Sequence, residues 1–173
     1  MQIVKAQAQR FVDLAASVVN TPNRADLAAT LMTYPIDLES WRGAGCEILL
    51  EKGELVGRAL TEVGRFAPAR SWFERAVAAK EKGDVQGRVD HDSLGRSLHQ
   101  VGDCLASTGE FAAARPWFER AVTEAEMGDV HGRVDHKSLA QTLRTGAVCL
   151  RKLGLVEQSK AWDKRASALA RGK

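Results

Sequence analysis

The sequence predicts an all-α fold, a stack of antiparallel helical hairpins behind a helical N-terminal cap, and three observations carry that reading. The first is a repeat at a spacing of 45 residues: 21 of the 29 positions in 66–94 are identical to those in 111–139. Self-similarity at such a period marks supersecondary units that bury their apolar faces only against one another. The second is helical spacing of apolar and small residues within a unit: Leu94, Leu98, Val101 and Leu105, then Phe111, Ala114, Phe118, Ala121 and Val122. The third is punctuation, since GDVQGRVD at 83–90 and GDVHGRVD at 128–135 each carry two glycines and read as loops between units.

In chain order, Ile3 to Val19 and Asn23 to Met32 each read as a helix, separated by Asn20-Thr21-Pro22 and followed by a break at Tyr34-Pro35. Asp37 to Cys46, including Trp41, leads toward the first repeat and can begin its leading helix early. Residues 1–47 do not follow the 45-residue register, so they form a helical N-terminal cap or the remnant of another domain. Three hairpins follow at 48–92, 93–137 and 138–173. In the middle one Thr108-Gly109-Glu110 makes the turn, because a helix stop favours a residue free to take positive φ. Leading helices begin after Asp90 and Asp135, whose carboxylates can accept from first-turn N–H groups. Ser138 with Gln141 offers a capping box as an alternative start. Ala114 and Ala121 fall at the helix crossing, and Ala125 on the exposed side.

Composition narrows the class. At 45% hydrophobic and 27% charged, the 173 residues describe a soluble globular chain. The net charge of +3 comes from 25 basic and 22 acidic side chains, too small and too interspersed an excess to argue for nucleic acid or a membrane surface. No apolar run approaches the roughly 20 residues of a membrane span, and the N-terminus lacks the apolar core of a signal peptide. Cys46, Cys104 and Cys149 leave one thiol unpaired in any disulfide scheme and form no CxxC pair, which favours a reducing compartment. The expected location is the cytoplasm.

Leu98, Val101, Gly102, Leu105, Ala114, Phe118 and Ala121 resemble the tetratricopeptide repeat signature of a large residue, Leu-Gly, an aromatic or Leu, then Ala, Phe and Ala. The preceding copy matches at Val56, Gly57, Leu60, Ala69, Phe73 and Ala76, with Gly53 where a large residue is expected. The last copy keeps Leu143, Ala147, Leu150 and Ala166 but has Ser159 for Ala and Asp163 for Phe, which reads as a polar cap on a terminal unit. The family's standard unit has about 34 residues. This longer one, with Asp90-His91 and Asp135-His136 ahead of the leading helices, is similar to the repeats of kinesin light chain. It also resembles the sensor arrays of bacterial STAND nucleotide-binding proteins and CHAT-domain proteases. The resemblance covers about 48–171. It implies a right-handed solenoid with Phe118 filling the gap between neighbouring hairpins and the first helices lining a concave surface.

On those first helices the residues off the core stripe are Glu51, Glu54, Arg58 and Glu62, then Arg96, His99, Gln100 and Asp103, then Gln141, Arg144, Arg151 and Lys152. The resemblance assigns peptide binding to the last eight. An acidic N-terminal end and a basic C-terminal end would point the acidic part of a segment toward Arg144 and Lys152; the alternative is a merely solvated face. The carboxylate-clamp set is not matched, since Asp103 and Val148 stand where Asn is needed.

His91 and His136, like Cys104 and Cys149, occupy equivalent positions by duplication. Equivalent residues in stacked hairpins are displaced by about 10 Å, too far to share one ion, so no metal is expected. No nucleophile motif, glycine-rich phosphate loop or HExxH appears, so no catalytic residue and no cofactor is expected either. Trp72, Trp117 and Trp162 read as packing residues of the second helices, with a partner-binding stripe as the alternative. The functional expectation is a non-enzymatic scaffold that binds a protein or peptide, acidic in character, or another copy of itself. Its rivals are a sensor or regulatory fragment of a larger STAND ATPase or CHAT protease, and a small secretion chaperone, against which the long loops argue.

Overall fold

The structure, a computed structural model, describes residues 2–21, 24–36 and 52–171. Regular structure among them is wholly helical: α1 (Gln2–Asn20), α2 (Ala25–Thr33), α3 (Gly53–Glu62), α4 (Phe66–Lys80), α5 (His91–Ser107), α6 (Phe111–Met127), α7 (His136–Lys152) and α8 (Val156–Ala170). The expected boundary at 47/48, the segment from Asp37 to Cys46 with Trp41, and Glu51 lie outside the described residues. The chain divides into two compact units, 1–76 and 77–173, with the division inside α4.

In the first unit α1 packs on α2 and α3. Ala8, Phe11, Ala15, Leu31, Val56 and Leu60 form its buried interior, as the helical spacing of apolar residues requires. Arg65 Nη1 donates to the carbonyls of Leu31 at 3.1 Å and Tyr34 at 3.0 Å, satisfying acceptors at the end of α2. Phe73 of α4 lies on Gly57 of α3, where a Cβ would come within 2.7 Å of the ring. Trp72 is only 1% exposed and lies over Gly53, whose added Cβ would meet it at 3.6 Å. At that distance a methyl would make ordinary contact with the indole.

In the second unit α5 pairs with α6, α7 pairs with α8, and α6 packs on α7. The expected turn is present: Gly109 has φ 84° and Glu110 N donates to Leu105 O at 2.9 Å. The caps are the aspartates rather than the capping box. Asp90 accepts from Ser93 N at 2.9 Å, and Asp135 from Lys137 N at 3.0 Å and Ser138 N at 3.1 Å. Lys80 Nζ ties the end of α4 to α5 through Ser93 O at 3.0 Å and the buried Ser97 hydroxyl at 2.8 Å.

Ala125 corrects a sequence expectation. It is 2% exposed, not on the outer side. Gly95 of α5 has no side chain and lets the last turns of α6 sink, so that a Cβ at 95 would meet Ala121 O at 3.0 Å and Ala125 N at 3.1 Å. Ala125 thereby joins Val122, Leu139, Ala140, Leu143 and Ala166 in one apolar cluster, with Trp162 packed against it.

Phe118 lies over Gly102 of its own hairpin, 3.0 Å from where a Cβ would stand, and its own Cβ approaches Gly146 of α7. In the last hairpin the aromatic over the glycine is Trp162, whose Cε3 would be 2.9 Å from a Cβ on Gly146. The pair has therefore moved one residue along each helix, from Gly102 with Phe118 to Gly146 with Trp162. Asp163 is left free to pair with Arg151 Nη2 at 3.0 Å. Ser159 is 2% exposed, with its hydroxyl donating to Ala147 O at 2.8 Å, so the buried oxygen is satisfied.

The twin loops close identically. Asp84 N donates to Arg88 O at 2.9 Å, its Oδ1 accepts from Gln86 N at 2.8 Å and Arg88 N at 2.9 Å, and Arg88 Nε bonds Oδ2 at 2.8 Å. Asp129, His131 and Arg133 repeat these bonds at 3.0, 2.8, 3.0 and 2.8 Å. The turn is the aspartate's own, since a short carboxylate can bond backbone two and four residues on.

Candidate functional site

Helical geometry puts Arg96, His99, Gln100 and Asp103 on one face of α5, and Gln141, Arg144, Val148 and Lys152 on one face of α7. The structure brings these faces together. One recess of about 470 Å³ is walled by Arg96, His99 and Gln100 from α5 and by Lys137, Gln141 and Arg144 from α7, with the capping Asp135 at its edge. A second, of about 460 Å³, shares Gln141 and Arg144 and adds Asp103, Val148 and Lys152. Seven of the eight residues expected from sequence line this pair of recesses.

Arg151 does not. It lies about 100° around the helix from Lys152, and its guanidinium turns to α8, to Asp163 and to the Ser159 hydroxyl at 3.3 Å. In the first unit Glu54, Arg58 and Glu62 are exposed, and Glu62 borders a separate recess with Val18 and Arg24. Sequence reasoning missed Lys137, Ser138 and Thr142. The signal was available for Lys137, which precedes Gln141 by one turn and continues the same stripe.

The charges differ in how far they are committed. Arg96 pairs with Asp92, a 7% exposed carboxylate whose Oδ1 has no hydrogen-bond partner among the described residues. The side chains of Lys137, Arg144 and Lys152 form no ion pair or hydrogen bond among the described residues. Three positive groups thus line one face with their donors unspent. Asp135, bonded to the α7 cap, and Asp103 supply the negative charge beside them.

His99 is half-buried. Its ring meets Phe118 edge-on at 5.7 Å, and Nδ1 is enclosed without a hydrogen-bond partner among the described residues. Burial pushes its pKa below the usual histidine value, and the nearby Asp103 carboxylate opposes that shift in part.

The other residues singled out from sequence have local roles. His91 Nδ1 lies 2.7 Å from Glu124 Oε2, joining the start of α5 to α6. His136 is exposed, and Leu169 stands where a second Glu124 would be. Cys104 and Cys149 are buried; the Cys149 thiol donates to Phe111 O at 3.2 Å, and burial pushes its pKa up. Among the described residues no group of three or more His, Cys, Asp or Glu could hold a metal ion, and no helix is long and apolar enough to cross a membrane. What the α5/α7 face can do chemically is hold an anionic group without a covalent step, through charge-assisted hydrogen bonds. No protein-family model matches the chain, and no curated protein matches it.

Proposed function

We propose that this chain is a non-enzymatic interaction scaffold, a right-handed tetratricopeptide-like solenoid whose α5/α7 face captures a protein segment carrying acidic side chains. The observation that carries the reading is the pair of adjoining recesses with Lys137, Arg144 and Lys152 unpaired along them. Each exposed ion pair is worth about 0–1 kcal/mol, so capture rests on several acting together. Val148, half exposed at 50%, supplies apolar surface between them. A positive face of this kind also speeds encounter with an acidic partner and makes the encounter salt-dependent.

The test is capture of a glutamate-rich peptide by the folded protein. Arg144→Glu with Lys152→Glu should weaken it by about tenfold or more, equivalent to about 1.4 kcal/mol, and flatten its salt dependence. Arg151→Glu, whose parent side chain faces α8, should leave capture unchanged. If His91→Asn with His136→Asn abolished capture while the α7 pair had no effect, the site would move to the loops between repeats.

A further inference from the structure

The recess wall contains one titratable ring that the charge argument above does not use. His99 has already been moved largely out of water, and its Nδ1 is enclosed and unpaired among the described residues. Every charged group facing it is identifiable. On its own helix Arg96 lies one turn before it and Asp103 one turn after; α6 presents the edge of Phe118; α7 presents Lys137 and Arg144 across the recess, with Asp135 at its start. Burial favours the neutral ring, and the Asp103 carboxylate opposes it.

An acidic side chain entering the recess changes that balance by adding a further negative charge near the imidazole. The lower dielectric of a filled recess strengthens that attraction, which has to outweigh the added desolvation of the ring. We propose that seating an acidic side chain in this recess is coupled to uptake of a proton by His99. Asp103, which makes no hydrogen bond or ion pair among the described residues, stands one turn along the helix, close enough for its charge to favour the protonated ring. His99 in this reading is a positioning and pH-sensing residue of the groove. The inference rests on the proposed capture of acidic segments.

Linkage fixes the sign. A ring that is neutral in the free protein and protonated in the complex makes binding tighter as pH falls, by at most about tenfold per pH unit for one proton. Calorimetric titration of an acetylated, amidated peptide of alternating Glu and Ala, between about pH 6 and 8 where free glutamates do not titrate, reads the coupling directly. The observed enthalpy should vary with the ionisation enthalpy of the buffer in the direction of proton uptake. That dependence should vanish in His99→Gln, which keeps a polar amide but cannot titrate. Should the variant fail to fold, the His99 ring-proton shift of the unaltered protein, followed against pH with and without peptide, should show its titration moving upward in the complex. Binding without proton uptake, or uptake that persists in His99→Gln, overturns the inference and leaves the groove reading standing. No binding by the peptide at any pH overturns both.

Discussion

The hairpins α5–α6 and α7–α8 solve one packing problem with different residues. Both need an aromatic ring on a bare stretch of the facing helix, because two helices carrying ordinary side chains cannot close to the distance that a buried ring requires. The first uses Phe118 on Gly102, and the second uses Trp162 on Gly146, each partner shifted by one residue. The glycine and the aromatic behave as a unit, and the unit can slide provided both members slide. The helix face that Asp163 then occupies is turned away from the ring, where an ion pair with Arg151 suffices.

The comparison breaks most visibly if the rings are removed. Phe118, at 1% exposure, should cost about 3–5 kcal/mol on change to Ala. Trp162 is half-buried at the outer hairpin and should cost less on the same change, despite being the larger residue. Urea unfolding of the two variants measures the difference, and an equal or reversed order would mean that the hairpins do not share this contact.

The pairing itself is sharpened by a double-mutant cycle. Gly146→Ala forces a methyl into the Trp162 ring and should destabilise by about 1–3 kcal/mol. In a Trp162→Leu background the same alanine should cost less, with a coupling of at least about 0.5 kcal/mol. Additive effects would show that Gly146 is small for another reason. Ala121→Leu, facing the backbone approach at Gly95, belongs to the same range, whereas Ala113→Leu on the exposed side of α6 should be nearly silent.

The one-residue slide also explains what the sequence made legible and what it did not. Helix starts at Asp90 and Asp135 and the stop at Gly109 follow from local backbone chemistry, and local chemistry is written in adjacent residues. The burial of Ala125 depends on Gly95, thirty residues earlier, and the replacement of Phe118 by Trp162 depends on a matching change at Gly146. Such pairwise compensation looks like two unrelated departures when each copy is aligned separately. The site divides in the same way. The α5 face and most of the α7 face follow from helical spacing alone, while Arg151 and Lys152, adjacent in sequence, separate only when the helix phase is known to within one position.

The smallest expected effect compares the twin loops. In each, an arginine and backbone N–H groups hold the aspartate carboxyl below the usual carboxylate range, the bonded Arg88 being the main cause at Asp84 and the bonded Arg133 at Asp129. A carboxyl depressed in the folded state contributes stability that is fully present above its unfolded value of about 3.9 and is lost as pH falls through its lower folded-state value. Asp84→Asn and Asp129→Asn keep the side-chain oxygen that bonds the backbone but discard the ion pair. Each should therefore lower the melting temperature slightly near neutral pH, and the gap to the parent protein should begin to close only below about pH 4. The loops are not equivalent in their surroundings, however. Gly128 O, at the base of the second loop, accepts from Asp92 N at 3.0 Å and so holds the first turn of α5. Loosening Asp129 should disturb that bond and cost more than loosening Asp84. Amide exchange at Asp92 provides the local reading: faster in Asp129→Asn and unchanged in Asp84→Asn. Equal exchange in both variants would mean that the loop and the start of α5 are held independently.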